Sequence, residues 1–225
     1  MKTPGTPALA ILLLATTLSL TSCISSKRID KHVALEYGNE LPAVKKEKNI
    51  VVHSSLVSDA HNISKTSYKM NQLLPLLFYW KSKERYTTKL NPAIAVNNFA
   101  NALNGAAGRP LQQKLNGQTL LLNVEQAPAG FAIDATGHMI WLIYAFSWEK
   151  VFIEPDFSDL VVTYNLEQTD GQMKTGRIVV KNPSEKKNFR FYQSWRSGIS
   201  EELTDYNSMV ATVTKSFVTS LMEEL

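Results

Sequence analysis

The chain has 225 residues, a formal net charge of +4, 44% hydrophobic residues and one cysteine. That length suffices for one well-cored domain, and a single cysteine excludes an intrachain disulfide framework. The charge is small and comes in short clusters (Lys45, Lys46 and Lys48 around Glu47; Lys186, Lys187 and Arg190), which read as solvated surface and speak against nucleic-acid binding.

Lys2 supplies a positive start, and Ala8 to Leu20 is uncharged and mostly apolar. As a helix this stretch rises only about 20 Å, short of the ~30 Å hydrocarbon core, so it reads as a signal-peptide core rather than a membrane span. The residues that close it, Leu20-Thr21-Ser22-Cys23, resemble the lipobox of bacterial lipoproteins. The resemblance implies that residues 1–22 are removed, that the Cys23 thiol carries a diacylglycerol, and that the new amino group is acylated as well. At ~0.8 kcal/mol per buried methylene, one chain holds marginally and two or three hold durably. The other reading of Cys23, a free thiol after an ordinary secretory signal, leaves an unpaired exposed cysteine unexplained. Ile24 and Ser25 follow Cys23 where an Asp would favour inner-membrane retention in enterobacterial lipoproteins, and residues 25–31 lack an acidic cluster. That resemblance implies the outer membrane, at its periplasmic face.

Residues 23–48 are polar, with isolated apolar residues and no sustained period, and are expected to form a lipidated flexible tether. One domain is expected over 49–225. Ile50-Val51-Val52 reads as its first strand, and His53 to Lys65 as a loop. Tyr68 to Trp80 is extended and very apolar, and Pro75 within it predicts an edge strand, a bulge or two shorter pieces. Lys81 to Lys89 is either a turn or a continuation of that strand. Asn91-Pro92 predicts a helix start, with Asn as N-cap and Pro at the first helical position; Gly105 and Gly108 are expected to stop it.

Leu120, Leu122 and Val124 alternate with Thr119, Leu121 and Asn123, as in a half-buried strand. His138 to Ile153 is aromatic and β-branched and predicts one long central strand, buried on both faces over much of its length. Leu160 to Gln168 and Met173 to Lys181 flank Asp170-Gly171, a strong hairpin signal. Ser184 is a candidate helix cap. Tyr192, Trp195, Ile199, Leu203, Tyr206, Val210, Val213, Phe217 and Leu221 then follow at spacings of three or four, one apolar helical face that Gly198 and Asn207 could divide into two helices. Together these elements predict an α+β fold: a mostly antiparallel sheet, helices on one face, and a long C-terminal amphipathic helix.

Chemistry-bearing patterns are sparse. His32, His53, His61 and His138 are scattered, none four residues from another, and no second cysteine is present to build a thiolate site. Glu154, Asp156 and Asp159 form the best metal candidate, but they lack calcium-loop spacing and Pro155 favours a polar turn. Asn62-Ile63-Ser64 matches a glycosylation acceptor that a bacterial lipoprotein does not expose to that machinery. There is no G-x-S-x-G elbow and no glycine-rich phosphate loop. No catalytic residue, metal or cofactor is therefore expected. The aromatic set Phe78, Tyr79, Trp80, Trp141, Tyr144, Phe146, Trp148 and Trp195 reads either as core, the favoured reading, or as an apolar groove for acyl chains or a partner helix.

In order, these elements resemble the ABC-type transport auxiliary lipoproteins, outer-membrane partners of MCE-type lipid transporters. Arg85-Tyr86 through Leu90-Asn91-Pro92 to Leu103 is similar to the segment that leads into that family's first helix. Gln118–Gln126, His138–Ile153 and the Asp170-Gly171 hairpin resemble its central strands, and Val210–Leu225 its last helix. The resemblance implies a non-enzymatic accessory lipoprotein, docked on envelope machinery through a protein partner and serving lipid transport, with lipid as a possible ligand. Two alternatives remain: an adaptor or stability factor for an outer-membrane protein assembly, and a hydrolase with a scattered site.

Overall fold

The computed structural model describes residues 25–37, 49–56, 62–74, 77–141, 145–167, 172–190 and 193–225. Helix α1 (Ser26–Tyr37) precedes strands β1 (Ile50–Ser54), β2 (Asn62–Leu74) and β3 (Leu77–Lys89) and helix α2 (Pro92–Leu115). Strands β4 (Leu120–Gln126), β5 (Gly130–Trp141), β6 (Ala145–Pro155), β7 (Leu160–Glu167), β8 (Met173–Val180) and β9 (Lys187–Asn188) follow, and helix α3 (Trp195–Glu224) ends the chain. The strands form sheet A, in the order β1-β4-β7-β8, and sheet B, in the order β2-β3-β5-β6-β9. The β1–β4 pair is parallel and the other pairs are antiparallel, so the expected α+β class holds, with two sheets where one was expected.

Sheet A follows the alternation of its sequence. Leu120, Leu122 and Val124 on β4, and Leu160, Val162, Tyr164 and Leu166 on β7, are all buried in the core that α2 and α3 help to close. β7 and β8 pair in register as the Asp170-Gly171 dipeptide predicts, although that dipeptide itself lies outside the described residues.

Helix α2 starts where expected: the Asn91 side chain accepts from the Ala93 N–H at 2.9 Å. It does not stop at Gly105 or Gly108 but runs on through Pro110 to Leu115. Leu103, Ala107, Leu111 and Leu115, four residues apart, are buried, and this continuous contact outweighs the low helix propensity of glycine and proline. The stop is Asn116-Gly117, at φ 44° and 81°, with the Asn116 N–H returning to Gln112 O.

Helix α3 is capped by Ser194 rather than Ser184, and it is continuous. Gly198 does not break it; the Phe189 ring packs so closely there that a Cβ would come within 2.3 Å of it. Asn207 ties α3 to α2 by accepting from Asn98 Nδ2 at 2.8 Å. Every described member of the predicted apolar stripe from Ile199 to Leu221 is buried, and Phe217 meets Phe99 of α2 edge-on at 5.5 Å. In the threonine-rich half the Thr204, Thr212, Thr214 and Thr219 hydroxyls are satisfied by donating back to the carbonyl four residues earlier, and burial of the apolar stripe outweighs the low helix propensity of threonine. At the far end, the Lys114 and Lys174 ammonium groups donate to the Met222 and Glu224 carbonyls, the favourable place for a cation.

The expected tether requires correction. Residues 26–37 form a helix whose Ile29 and Val33 are 0% and 2% exposed and belong to the common core. His32 of this helix packs edge-on against Trp195 at 5.7 Å and lies 3.1 Å from the Ser200 hydroxyl, which donates to Glu36 at 2.7 Å. The folded domain thus begins near Ser26. Cys23 itself lies outside the described residues.

Candidate functional site

Sheet B carries the feature that most departs from an ordinary core. Its register aligns β3, β5 and β6 in three-residue rows, and opposite residues in an antiparallel pair share a face. One face carries Phe78–Trp141–Ala145, Trp80–Met139–Ser147, Ser82–Gly137–Glu149, Glu84–Ala135–Val151 and Tyr86–Ile133–Ile153. The other carries Tyr79–Ile140–Phe146, Lys81–His138–Trp148, Lys83–Thr136–Lys150 and Arg85–Asp134–Phe152. The first face is the core face near Tyr86, Ile133 and Ile153, all buried. Burial then declines along the strands: 130–135 are buried, 136–140 half-buried, and 145–150 exposed. The sheet runs past its helices, and its far end is an arm.

That arm is aromatic. Trp141, Phe146 and Trp148 are 57%, 64% and 43% exposed, while Phe78, Tyr79 and Trp80 are half-buried. His138 stacks on Trp148 with ring centroids 5.0 Å apart and planes 7° apart, and its Nδ1 lies 2.7 Å from the Tyr79 hydroxyl. Two expectations are corrected. The described members of the aromatic set on the arm are not core residues; the core aromatics are instead Tyr86, Phe99, Phe131, Tyr164, Tyr206 and Phe217. His138–Ile153 is not one strand buried on both faces but the end of β5 and most of β6, paired antiparallel across residues 142–144. Lys81–Lys89 continues β3, and β2 is an edge strand, as Pro75 allowed, although Pro75 lies outside the described residues. β2 begins at Asn62, inside the stretch expected to be a loop.

The acidic candidates do not converge. Glu154 lies 3.1 Å from Arg85 Nη1 and 3.4 Å from Lys186 Nζ, and the hydrogen bond from Arg85 holds its carboxyl below the usual range. Asp134 shares both cations, at 2.8 and 3.5 Å. Asp156 accepts from the Ala129 and Ser158 amides and the Ser158 hydroxyl, and Asp159 from the Asn182 amide. These are turn-fixing bonds, the polar-turn reading of Glu154, Asp156 and Asp159. His53 is exposed, and His61 lies outside the described residues. An open cleft of about 850 Å³ is lined by Arg85, Phe131, Glu154 and Phe157 among others, and within it Arg85 and Glu154 pair with each other at 3.1 Å.

A second polar cluster sits between β9 and α3. Glu202 is buried, with its Oε2 3.6 Å from Lys187 Nζ; Lys187 also donates to Asp205. Burial raises the Glu202 carboxyl above its ordinary range despite the opposing charge of Lys187. The folded state therefore keeps this proton in a pH window where the unfolded chain has lost it, so stability falls as pH rises through that window. Glu202→Gln is expected to raise the melting temperature at neutral pH by ~2–4 °C, the shift that ~1 kcal/mol makes in a domain of this size. The gain should vanish near pH 4; an equal gain at both pH values in a thermal melt would refute the assignment.

Compared with protein-family models, with curated proteins and with solved structures, the chain matches none.

Proposed function

We propose that the protein is a lipid-anchored accessory lipoprotein of the cell envelope, held at the outer membrane by acyl chains on Cys23, which serves lipid transport by binding rather than by catalysis. The observation that carries this reading is the exposed aromatic end of sheet B. Burying Trp141, Phe146 and Trp148 would each contribute about 1.5–3 kcal/mol or more, so leaving three large side chains in water is costly unless something else covers them. Exposed apolar patches of this kind mark interaction surfaces. The lipobox resemblance supplies the location, and the arm supplies the working surface.

Two measurements test the reading separately. The mass of the N-terminal peptide from membrane-extracted protein is expected to show acylated Cys23; a free thiol there refutes the anchor. In cells, Trp141→Ser/Phe146→Ser/Trp148→Ser is expected to remain folded yet fail to restore the envelope barrier of a deletion strain. Full complementation by that variant refutes the arm as working surface.

A further inference from the structure

The end of the arm is mostly apolar on both faces of β3, β5 and β6, with Ser147 among these residues and Asn71 and Gln72 alongside on β2, and this bears on what can cover it. Phe78, Trp80, Met139 and Trp141 lie on one face, and Tyr79, Ile140, Phe146 and Trp148 on the other. A protein groove or a docking helix covers one face of a sheet and leaves the other in water. An apolar phase that surrounds the tip satisfies all of these groups at once.

Charge sets the depth. Counting rows from the end, Lys81 is in the fourth and Lys83 and Lys150 are in the sixth, all on one face. No carboxylate shares that face until Asp134, which Arg85 holds at 2.8 Å; Glu149 and Glu84, in the fifth and seventh rows, lie on the opposite face. At ~3.4 Å per row, the first three rows occupy about 10 Å, the depth to which an apolar face enters a bilayer interface. Trp148, His138 and Lys81, which share the fourth row, then fall at the interfacial level where aromatic residues concentrate, and Lys83 and Lys150, two rows on, fall at the level of the phosphates.

The first described helix starts toward the same end. Along α3, Gly198 packs on Phe189, whose N–H bonds Val151 O; Glu202 faces Lys187, opposite Ile153; and Tyr206 donates to Pro128 O, below Gly130. Helix α3 therefore runs away from the tip. α1 follows it in the same direction, with His32 beside Arg196 and Ser200 and Glu36, four residues on, accepting from the Ser200 hydroxyl; burial and, less so, the Glu202 charge raise the Tyr37 phenol. The start of α1 thus points toward the tip. From Ser26, Cys23 is three residues away, a reach of at most ~10 Å.

We infer that the end of sheet B beds into the interface of the membrane that holds Cys23, at a surface of anionic phospholipid. This rests on the lipid-anchor reading and adds the occupant of the arm.

The probe is the chain 23–225 carrying Cys23→Ser, which keeps every described element, sedimented with vesicles of phosphatidylglycerol in phosphatidylethanolamine or of phosphatidylcholine alone. It is expected to bind the anionic vesicles severalfold more tightly, and less so at high salt. Trp141→Ser/Phe146→Ser/Trp148→Ser is expected to weaken binding about tenfold or more, a loss of buried apolar area. Lys81→Gln/Lys83→Gln/Lys150→Gln should erase the anionic preference while leaving the weaker binding to phosphatidylcholine. Tryptophan fluorescence should be quenched by brominated lipid in the parent chain, and much less in Trp80→Phe/Trp141→Phe/Trp148→Phe, which keeps only Trp195. Three results would overturn the inference: no vesicle binding, binding indifferent to the aromatic substitutions, or a dimer by light scattering that these substitutions dissolve, which would make a second copy the occupant. The peptide mass at Cys23 reports the anchor independently of all three.

Discussion

Ile29→Ala is expected to destabilise the protein by about 2–5 kcal/mol, the range for removing a fully buried isoleucine side chain. Ile29 is wholly inside the core, and Val33, one helical turn on, is nearly so. With about 2–4 °C lost per kcal/mol in a domain of this size, the melting temperature should fall by ~5–20 °C. Urea unfolding should show a lower midpoint with an unchanged slope, because the surface exposed on unfolding hardly changes. A flexible tether predicts no shift at all. An unchanged midpoint would therefore return residues 26–37 to a leash and remove the coupling between anchor position and arm. Val33→Ala should act in the same direction and to a smaller extent, since it deletes fewer methyl groups.

The consequence for function is geometric. A leash running to residue 48 lets the domain wander tens of ångströms from its anchor, at up to ~3.5 Å per extended residue. On the proposed anchor at Cys23, a domain that begins at Ser26 would be held close to the bilayer, with one end toward it. Orientation at the membrane then follows from packing of α1 on α3 rather than from chance encounter.

What the sequence revealed, and what it hid, divides along the range of the physics involved. The Asn91-Pro92 start, the strand Leu120–Val124, the β7–β8 pairing and the buried face of α3 were legible because each is written in adjacent residues or in a sustained period. Helix α1 was missed because its apolar stripe is three residues, Ile29, Val33 and Tyr37, in a polar setting. A stripe that short carries no signal until its partner surface is known. The hairpin between β5 and β6 was missed for the opposite reason: Leu142-Ile143-Tyr144 contains no glycine, proline or asparagine to mark a turn.

The arm was hidden by an ambiguity of sign. An apolar run reads alike in a buried central strand and in an exposed surface built for contact. Exposure depends on how far β3, β5 and β6 extend beyond the helices, which is a sum over the lengths of distant elements. At Gly105 and Gly108 the local preference was read correctly and lost to tertiary burial of Leu103, Ala107 and Leu111. The ion pairs of Arg85 and Lys186 were beyond reach, since they join residues far apart in the chain.

Gly130→Ala is expected to cost ~3 kcal/mol or more, because the added methyl meets backbone rather than a side chain that could swing aside. A Cβ at Gly130 would stand 2.0 Å from Thr88 O and 3.3 Å from Lys89 Cα. Its φ is not in the left-handed region, so alanine adopts the local conformation freely and the cost is the contact alone. Relief requires β3 and β5 to part where Lys89 pairs with Gly130, and two bonds resist that: Leu90 N–H to Ala129 O at 2.7 Å, and Asp156 N–H to Gly130 O at 3.0 Å. Two other glycines serve as controls. At Gly137, in the arm, a Cβ would meet the Ser82 hydroxyl at 2.9 Å, which a rotamer change relieves, so Gly137→Ala should be nearly neutral. At Gly105, in α2, a Cβ meets nothing within 4 Å, and Gly105→Ala should stabilise by about 0.5–1 kcal/mol through helix propensity. Urea midpoints of the three variants should therefore fall in the order Gly105→Ala, Gly137→Ala, Gly130→Ala, from most to least stable. If Gly130→Ala matched Gly137→Ala, the junction of β3 and β5 would be looser than these contacts require. The arm would then have no rigid base from which to reach a membrane.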